Sequence, residues 1–336
     1  METLSHELGI FGIPCEPSRA KIVIMPVPWD VTASYGGGSS QGPKHVLEAS
    51  PQLDLFDVVY GTPYTHGIYL KPIPEEIYRQ NQQLRPIARH LQHKRESGLS
   101  LSEHDLDQIN TINTACAQLH EEIYQQSKAL IASAKIPGVL GGDHSTPYGL
   151  IKALCESHRD MGILHIDAHA DLRFAYQDFT YSHASIMHNV MALNRAPHKL
   201  IQVGVRDLCT EEFQMTQKDS RIHTFFASQL HDAMFQGKTW HECCLRICAQ
   251  LPHKVYISLD IDGLSPLFCP STGTPVPEGL TYSQLRYLLN VVARKGHQII
   301  GFDLNEVAPA QSGEWDGNVG ARLLYQLCGT ALYSRS

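Results

Sequence analysis

Beyond residue 135 or so, short runs of β-branched and aromatic residues alternate with longer stretches whose apolar positions recur at helical spacing. The runs predict strands over 137–141, 161–167, 199–205, 222–226, 254–260 and 297–303, with helices between them and a last helix over Val319–Tyr333. An earlier run, Ala20–Pro28, predicts the first strand, and a helix begins over Gly42–Ala49. Residues 73–134 read differently. They are polar, rich in Gln, His and Glu, and predict two or three helices, one spanning Ser102 to Ala134. No chemistry is visible in them, and a solvated helical layer is the expectation, with a lid or an oligomer surface as alternatives. Strand–helix alternation predicts a mostly parallel sheet covered on both faces by helices. No repeat or Pro/Ser-rich linker divides residues 1–336, so a single domain is expected.

Composition narrows the class. Of 336 residues, 43 % are hydrophobic and 18 % charged, ordinary for a globular chain with a sizeable core. The net charge of −7, without a basic stripe, argues against nucleic acid as a partner. No apolar run approaches the roughly 18 residues of a membrane span, and Met1–Glu7 shows no basic segment leading into an apolar one. No membrane partner and a cytoplasmic location are therefore expected. Nine cysteines without framework spacing fit a reducing compartment. Cys243, Cys244 and Cys248 lie near His241, but the stretch Trp240–Leu251 reads as helix, so they are expected to be small buried hydrophobes.

Chemistry concentrates at the strand ends. In His165–Asp171, the side chains of Asp167, His169 and Asp171 stand at i, i+2 and i+4, which an extended backbone projects to one face. Converging carboxylates repel unless a cation sits among them. Asp260 and Asp262 share a face at the end of the apolar run that begins at Lys254. His144 follows Gly141-Gly142-Asp143, a strand-to-loop signal. Four carboxylates and two imidazoles suit hard or borderline ions such as Mn²⁺ and disfavour thiolate-type zinc. Six ligands exceed what one ion draws from a protein with an open catalytic position, so two ions sharing carboxylates fit better. Such a cluster accepts a cationic substrate. The loop Trp29–Gly38 ends in three glycines but lacks a phosphate-loop frame, so it is expected to be a turned loop near the site's mouth.

These fragments resemble the arginase/agmatinase (ureohydrolase) family, nearest to its agmatinase-like members. The matching pieces are Gly-Gly-Asp-His at 141–144, Asp-Ala-His-Ala-Asp at 167–171, Ser-Leu-Asp-Ile-Asp-Gly at 258–263, Thr-Gly-Thr-Pro at 272–275 and Asp-Leu-Asn-Glu-Val-Ala-Pro at 303–309. All five stand in the family's order over more than half the chain. The resemblance implies a three-layer α/β/α sandwich around an eight-stranded, mostly parallel sheet. It also implies a homo-oligomer, trimeric or hexameric. The metal ligands it implies are His144, Asp167, His169, Asp171, Asp260 and Asp262, holding two Mn²⁺ per subunit, with Ni²⁺ as the alternative. The reaction it implies is hydrolysis of a small cationic guanidino compound to urea and an amine. His183 matches the family's proton-shuttling histidine, whose ordinary pKa lies near 7. Glu306 matches an acid that pairs with the guanidinium. Thr274 matches a threonine near it, and Asp171 joins His183 and Glu306 as a catalytic candidate.

The departures concern the substrate's tail. Arg173 stands where arginases commonly carry Asn. Facing the site, it would favour a carboxylate tail; facing away, it would leave agmatine acceptable. Asn305 and Glu278 stand where an apolar residue and a glycine are usual. Agmatine is the first expectation, ahead of arginine, guanidino acids and free guanidine. Two other classes compete: a one-zinc amide hydrolase of the deacetylase kind, and a non-catalytic binding protein. The complete ligand set weighs against both, and Glu306 against the first.

Overall fold

The computed structural model describes residues 9–310 and 312–335. The stretch Met1–Glu7, read above for a leader, lies outside them. Eight strands form one parallel sheet: β1 (Ile22–Val27), β2 (Ile68–Leu70), β3 (Ile136–Gly141), β4 (Met161–Ile166), β5 (Lys199–Val203), β6 (Ile222–Phe225), β7 (Lys254–Asp260) and β8 (Gln298–Asn305). Their order across the sheet is β2-β1-β3-β8-β7-β4-β5-β6. The helices are α1 (Gly42–Ala49), α2 (Glu75–Glu96), α3 (Glu103–Ala132), α4 (Tyr148–Ser157), α5 (Ile186–Met191), α6 (Thr210–Lys218), α7 (Ala227–Phe235), α8 (Trp240–Cys248), α9 (Tyr282–Arg294) and α10 (Trp315–Tyr333).

The central strands are buried along nearly their whole length because helices cover both faces. Successive residues alternate between two cores. On β4, Leu164 and Ile166 pack with α1, α8, α9 and α10, whereas Met161 and Ile163 pack with α2, α3, α4 and α5. The cysteines Cys243, Cys244 and Cys248 are buried in the first core, as the helical reading expects. The three-layer sandwich expected from the sequence is the architecture found.

Two differences are instructive. Strand β2 is absent from the sequence reading: it has three residues, pairs among the described residues only with β1, and ends two residues before Pro72, so it carries no alternation to detect. The 73–134 region forms two helices. Ser102 caps the second, its hydroxyl accepting from the Asp105 N–H while the Asp105 carboxylate accepts from the Ser102 N–H. The first, α2, is more than a solvated layer. Ile77, Ala88 and Leu91 enter the second core, and Asn81 and Gln92 are buried polar residues facing the 30–36 loop.

Candidate metal centre

The six expected ligands follow three strands, β3, β7 and β4, and β8, which leads to Glu306, lies between β3 and β7 in the sheet. After β3 the chain passes through Gly141 and Gly142. A Cβ at Gly141 would overlap the Asn305 and Thr146 side chains, and one at Gly142 would overlap the Trp29 carbonyl. These close approaches carry His144 down into the sheet's edge. Asp260 ends β7, and Asp262 lies in the 3-10 turn Ile261–Gly263 that follows. The 165–171 run departs from the extended reading. Strand β4 stops at Ile166, and Asp171 adopts a left-handed φ of 54°. The carboxylates converge because the chain turns back on itself, not through the pleat alone.

All six expected ligands come together. His144 Nδ1 lies 2.9 Å from Asp167 Oδ2 and 3.3 Å from oxygens of both Asp171 and Asp260. His169 Nδ1 lies 3.1 Å from Asp262 Oδ2 and 3.4 Å from Asp167 Oδ1. Two ion-sized groupings result, one around His144, His165, Asp167 and Asp171, the other around Asp167, His169 and Asp262. Asp167 is common to both. The donor set itself favours cations. Burial raises the Asp260 pKa well above the usual carboxylate value, and the charges of Asp262 and Asp167 add to the rise. Burial would lower His144 and His169, yet the carboxylates facing them hold both well above the histidine value. Lone pairs that attract protons so strongly are suited to divalent ions.

Four supporting residues, Ser258, Asp303, His165 and Gln202, carry no role in the sequence reading. Ser258 Oγ donates to Asp303 Oδ1 at 3.1 Å and so accepts from His144 Nε2 at 2.8 Å. This leaves the lone pair of His144 on Nδ1, facing the carboxylates. His165 lies within ligand distance but is placed as a donor. Gln202 Nε2 donates to His165 Nδ1 at 3.0 Å, so the ring proton sits on Nε2, which donates to Asp167 Oδ2 at 2.8 Å. The Gln202 amide is fixed by its second bond, to the Ala170 carbonyl at 2.7 Å. The available signal was parity: His165 and Ser258 each stand two residues before an expected ligand, Asp167 and Asp260, on the same face.

A cleft of about 200 Å³ opens onto the cluster, lined among others by Ser34, Tyr35, Arg173, His183, Asp207, Glu212 and Thr274. His183 is 8 % exposed; its Nδ1 lies 3.2 Å from Glu306 Oε1. Burial alone would lower the His183 pKa, but the hydrogen bond and charge of Glu306, with Asp143 and Asp171, raise it. Glu306 is buried at a left-handed φ of 61°, and its Oε1 also accepts from the His144 N–H at 3.0 Å. Thr274 Oγ1 donates to Asp262 Oδ2 at 3.3 Å.

Arg173 faces the cleft, yet its charge is met locally. Its Nε is 3.5 Å from Glu212 Oε2, and its guanidinium lies 4.7 Å from the centre of the Tyr176 ring. Asn305 points away from substrate, bridging Thr146 Oγ1 at 2.9 Å and Asp303 Oδ1 at 2.5 Å. Glu278 is exposed at a φ of 72°, the region that favours the glycine usual there, with His231 3.6 Å away.

A model of the arginase family matches residues 20–329. The chain is 30 % identical to the N(1)-aminopropylagmatine ureohydrolase of Thermus thermophilus over 322 residues, 95 % of this chain and 94 % of that protein. It is 30 % identical to the agmatinase of Halalkalibacterium halodurans over 294 residues, 87 % of this chain and 85 % of that one. Its fold is similar to the crystal structure of agmatine ureohydrolase of Thermoplasma volcanium, with a TM-score of 0.70, 22 % identity, and coverage of 94 % of this chain and 91 % of that chain.

Proposed function

This chain belongs to the arginase family, and on that premise we propose that it hydrolyses agmatine to putrescine and urea with two manganese ions. It is a hydrolase of guanidino C–N bonds, as its relatives named agmatinase and aminopropylagmatine ureohydrolase are by those names. The sharing of Asp167 between two ligand groups is the observation that carries the dinuclear reading. In it, His144, Asp167, Asp171 and Asp260 would hold one ion and Asp167, His169 and Asp262 the other, with nickel as the alternative metal. When bound, the ions supply an activated water and a Lewis acid.

The chain's own groups supply the rest. The water oxygen adds to the guanidino carbon, the C–N bond to the chain breaks, and the departing amine takes a proton. His183 is assigned as its source. The Ser34 backbone N–H can only donate, and it points at His183 Nε2 from 3.2 Å. Neutral His183 therefore carries its proton on Nδ1, against Glu306, and Nε2 is the atom that gains and loses the other. Glu306 and Thr274 are assigned to the guanidinium, whose N–H groups match an acid and a hydroxyl.

The choice of agmatine is supported by the Arg173–Glu212 pair. With the arginine's charge met by a buried acid, a carboxylate tail finds no free cation among the described residues lining the cleft, whereas an ammonium tail finds exposed Asp207. We place the enzyme in the cytoplasm as a single-domain homo-oligomer, trimeric or hexameric; among the described residues no helix is long and apolar enough to cross a membrane. The test is urea release with Mn²⁺, and separately Ni²⁺, from agmatine, N(1)-aminopropylagmatine, arginine, 4-guanidinobutyrate and guanidine. Agmatine should give the highest kcat/KM. Urea from none of them refutes the reading, and a preference for 4-guanidinobutyrate refutes the charge argument at Arg173.

A further inference from the structure

We propose that Arg85, on α2 and outside the cleft, is a positioning residue for proton transfer: it fixes the 31–36 loop so that Ser34 holds His183 Nε2. The inference rests on the reading of His183 as the proton carrier. Ser34 meets His183 Nε2 twice, through its N–H at 3.2 Å and its Oγ at 2.9 Å. The two contacts serve the two states of the ring. Neutral Nε2 accepts from the N–H; protonated Nε2–H donates to Oγ. A shift of the loop would lose both.

Within itself that loop has one backbone bond, from the Ala33 N–H to the Asp30 carbonyl at 3.1 Å. Tyr35, next to Ser34, is in the left-handed region at φ 58° and is 93 % exposed, so its own side chain adds little anchoring. Thr32 Oγ1 donates to the Tyr181 carbonyl at 3.2 Å and the Gly36 N–H to the Gly273 carbonyl at 3.1 Å, and the remaining anchors, on the carbonyls either side of Ser34, come from α2. Arg85 Nη1 donates to the carbonyls of Val31 at 3.1 Å and Ala33 at 2.5 Å, and Nη2 donates to Gly36 at 3.2 Å. The guanidinium thus brackets Ser34, binding carbonyls on both sides of it. Gln92 Nε2 reaches the Thr32 and Ala33 carbonyls at 3.2 Å each, and its Oε1 accepts from Arg85 at 3.3 Å. Asn81 pairs with Asp30, whose Oδ2 takes the Gly38 N–H at 2.9 Å. Asn81, Arg85 and Gln92 lie on one face of α2. A planar fork spans these three carbonyls; a single ammonium does not.

The experiment is a set of double-mutant cycles on the manganese-loaded enzyme, with the guanidino compound of highest turnover. His183→Asn should lower kcat by about 10²–10⁴-fold. Arg85→Lys and Ser34→Ala should each lower kcat on the order of tenfold while KM stays within about twofold and bound manganese is unchanged. In the His183→Asn background both should lose most of that effect, because the group they position is gone. A merely structural role would cost the same factor in either background. Equal losses in both backgrounds, losses that track bound manganese, or full kcat in both Arg85→Lys and Ser34→Ala overturn the proposal. Wild-type kcat in His183→Asn overturns the proton-carrier reading instead.

Discussion

Removing one buried charge behind His144 should weaken metal binding without touching a ligand. Asp303 is fully buried and accepts four hydrogen bonds: from Ser258 Oγ and the Leu259 N–H at 3.1 Å each, from Asn305 Nδ2 at 2.5 Å, and from the Tyr256 hydroxyl at 2.5 Å. Asp303→Asn keeps the shape and deletes the charge. Whichever way the amide turns, its NH₂ faces at least one donor, and Ser258 no longer has a carboxylate to hold its proton. His144 then loses the bias that leaves Nδ1 free for a cation. Loss of an orienting partner costs about 10–100-fold in metal affinity. At a factor of ten for every 1.4 kcal/mol, that is about 1.4–2.8 kcal/mol. The assay is urea release against free Mn²⁺ in a buffered series, with bound metal measured after dialysis. The half-saturating Mn²⁺ should rise 10–100-fold, with activity recovering at high metal. An unchanged half-saturation in a folded variant refutes the relay from His144 through Ser258 to Asp303. Tyr256→Phe, which leaves the charge in place, should have the smaller effect.

Two further outcomes follow from packing and burial. Gly142→Ala would drive its Cβ into the Trp29 carbonyl, so at least the roughly 1–3 kcal/mol of an overpacked core should be lost. Thermal unfolding and bound manganese should both fall, and an unaltered melting temperature would contradict the close approach. His120 is buried between Tyr148 and Tyr181, and burial lowers its pKa to about 3. The unfolded chain binds its proton below about pH 6.5 and the folded chain does not, so this contribution to stability is complete above that pH and is lost as pH falls towards 3. Between pH 7.5 and 5.5 the wild type should lose about 1.4 kcal/mol more than His120→Leu by denaturant unfolding. Equal losses would mean that the ring is charged or solvated in the folded state.

What the sequence disclosed tracks what depends on neighbours along the chain. The central strands are legible because burial on both faces writes continuous apolar runs, and the ligands are legible because they stand at the ends of those runs. Strand β2 escapes because three residues carry no period. The roles of His165 and Ser258 escape for another reason. Each depends on which ring nitrogen bears a proton, and that is set by Gln202 and Asp303, 37 and 45 residues distant. The direction of Arg173 was open for the same cause, since Glu212 meets it only after β5 and the turn beyond have formed. In α2 a signal was present. Its polar residues Asn81 and Gln92 recur on the same face as Ala88 and Leu91, where a solvated helix would have kept them outward.

The metal set hangs from the ends of three strands in the middle of the sheet, β3, β7 and β4, while the groups around the cleft's mouth lie on surface loops carrying Tyr35, Arg173, Asp207 and Thr274. Reaction and recognition are therefore anchored differently. The strand ends and the short turns that set the six ligands leave little room for insertion, but the loops farther out can lengthen, shorten or exchange charge. A lineage built on this plan can change its substrate by altering loops while its hydrolytic centre stays fixed, so relatives sharing one centre can serve different guanidino compounds.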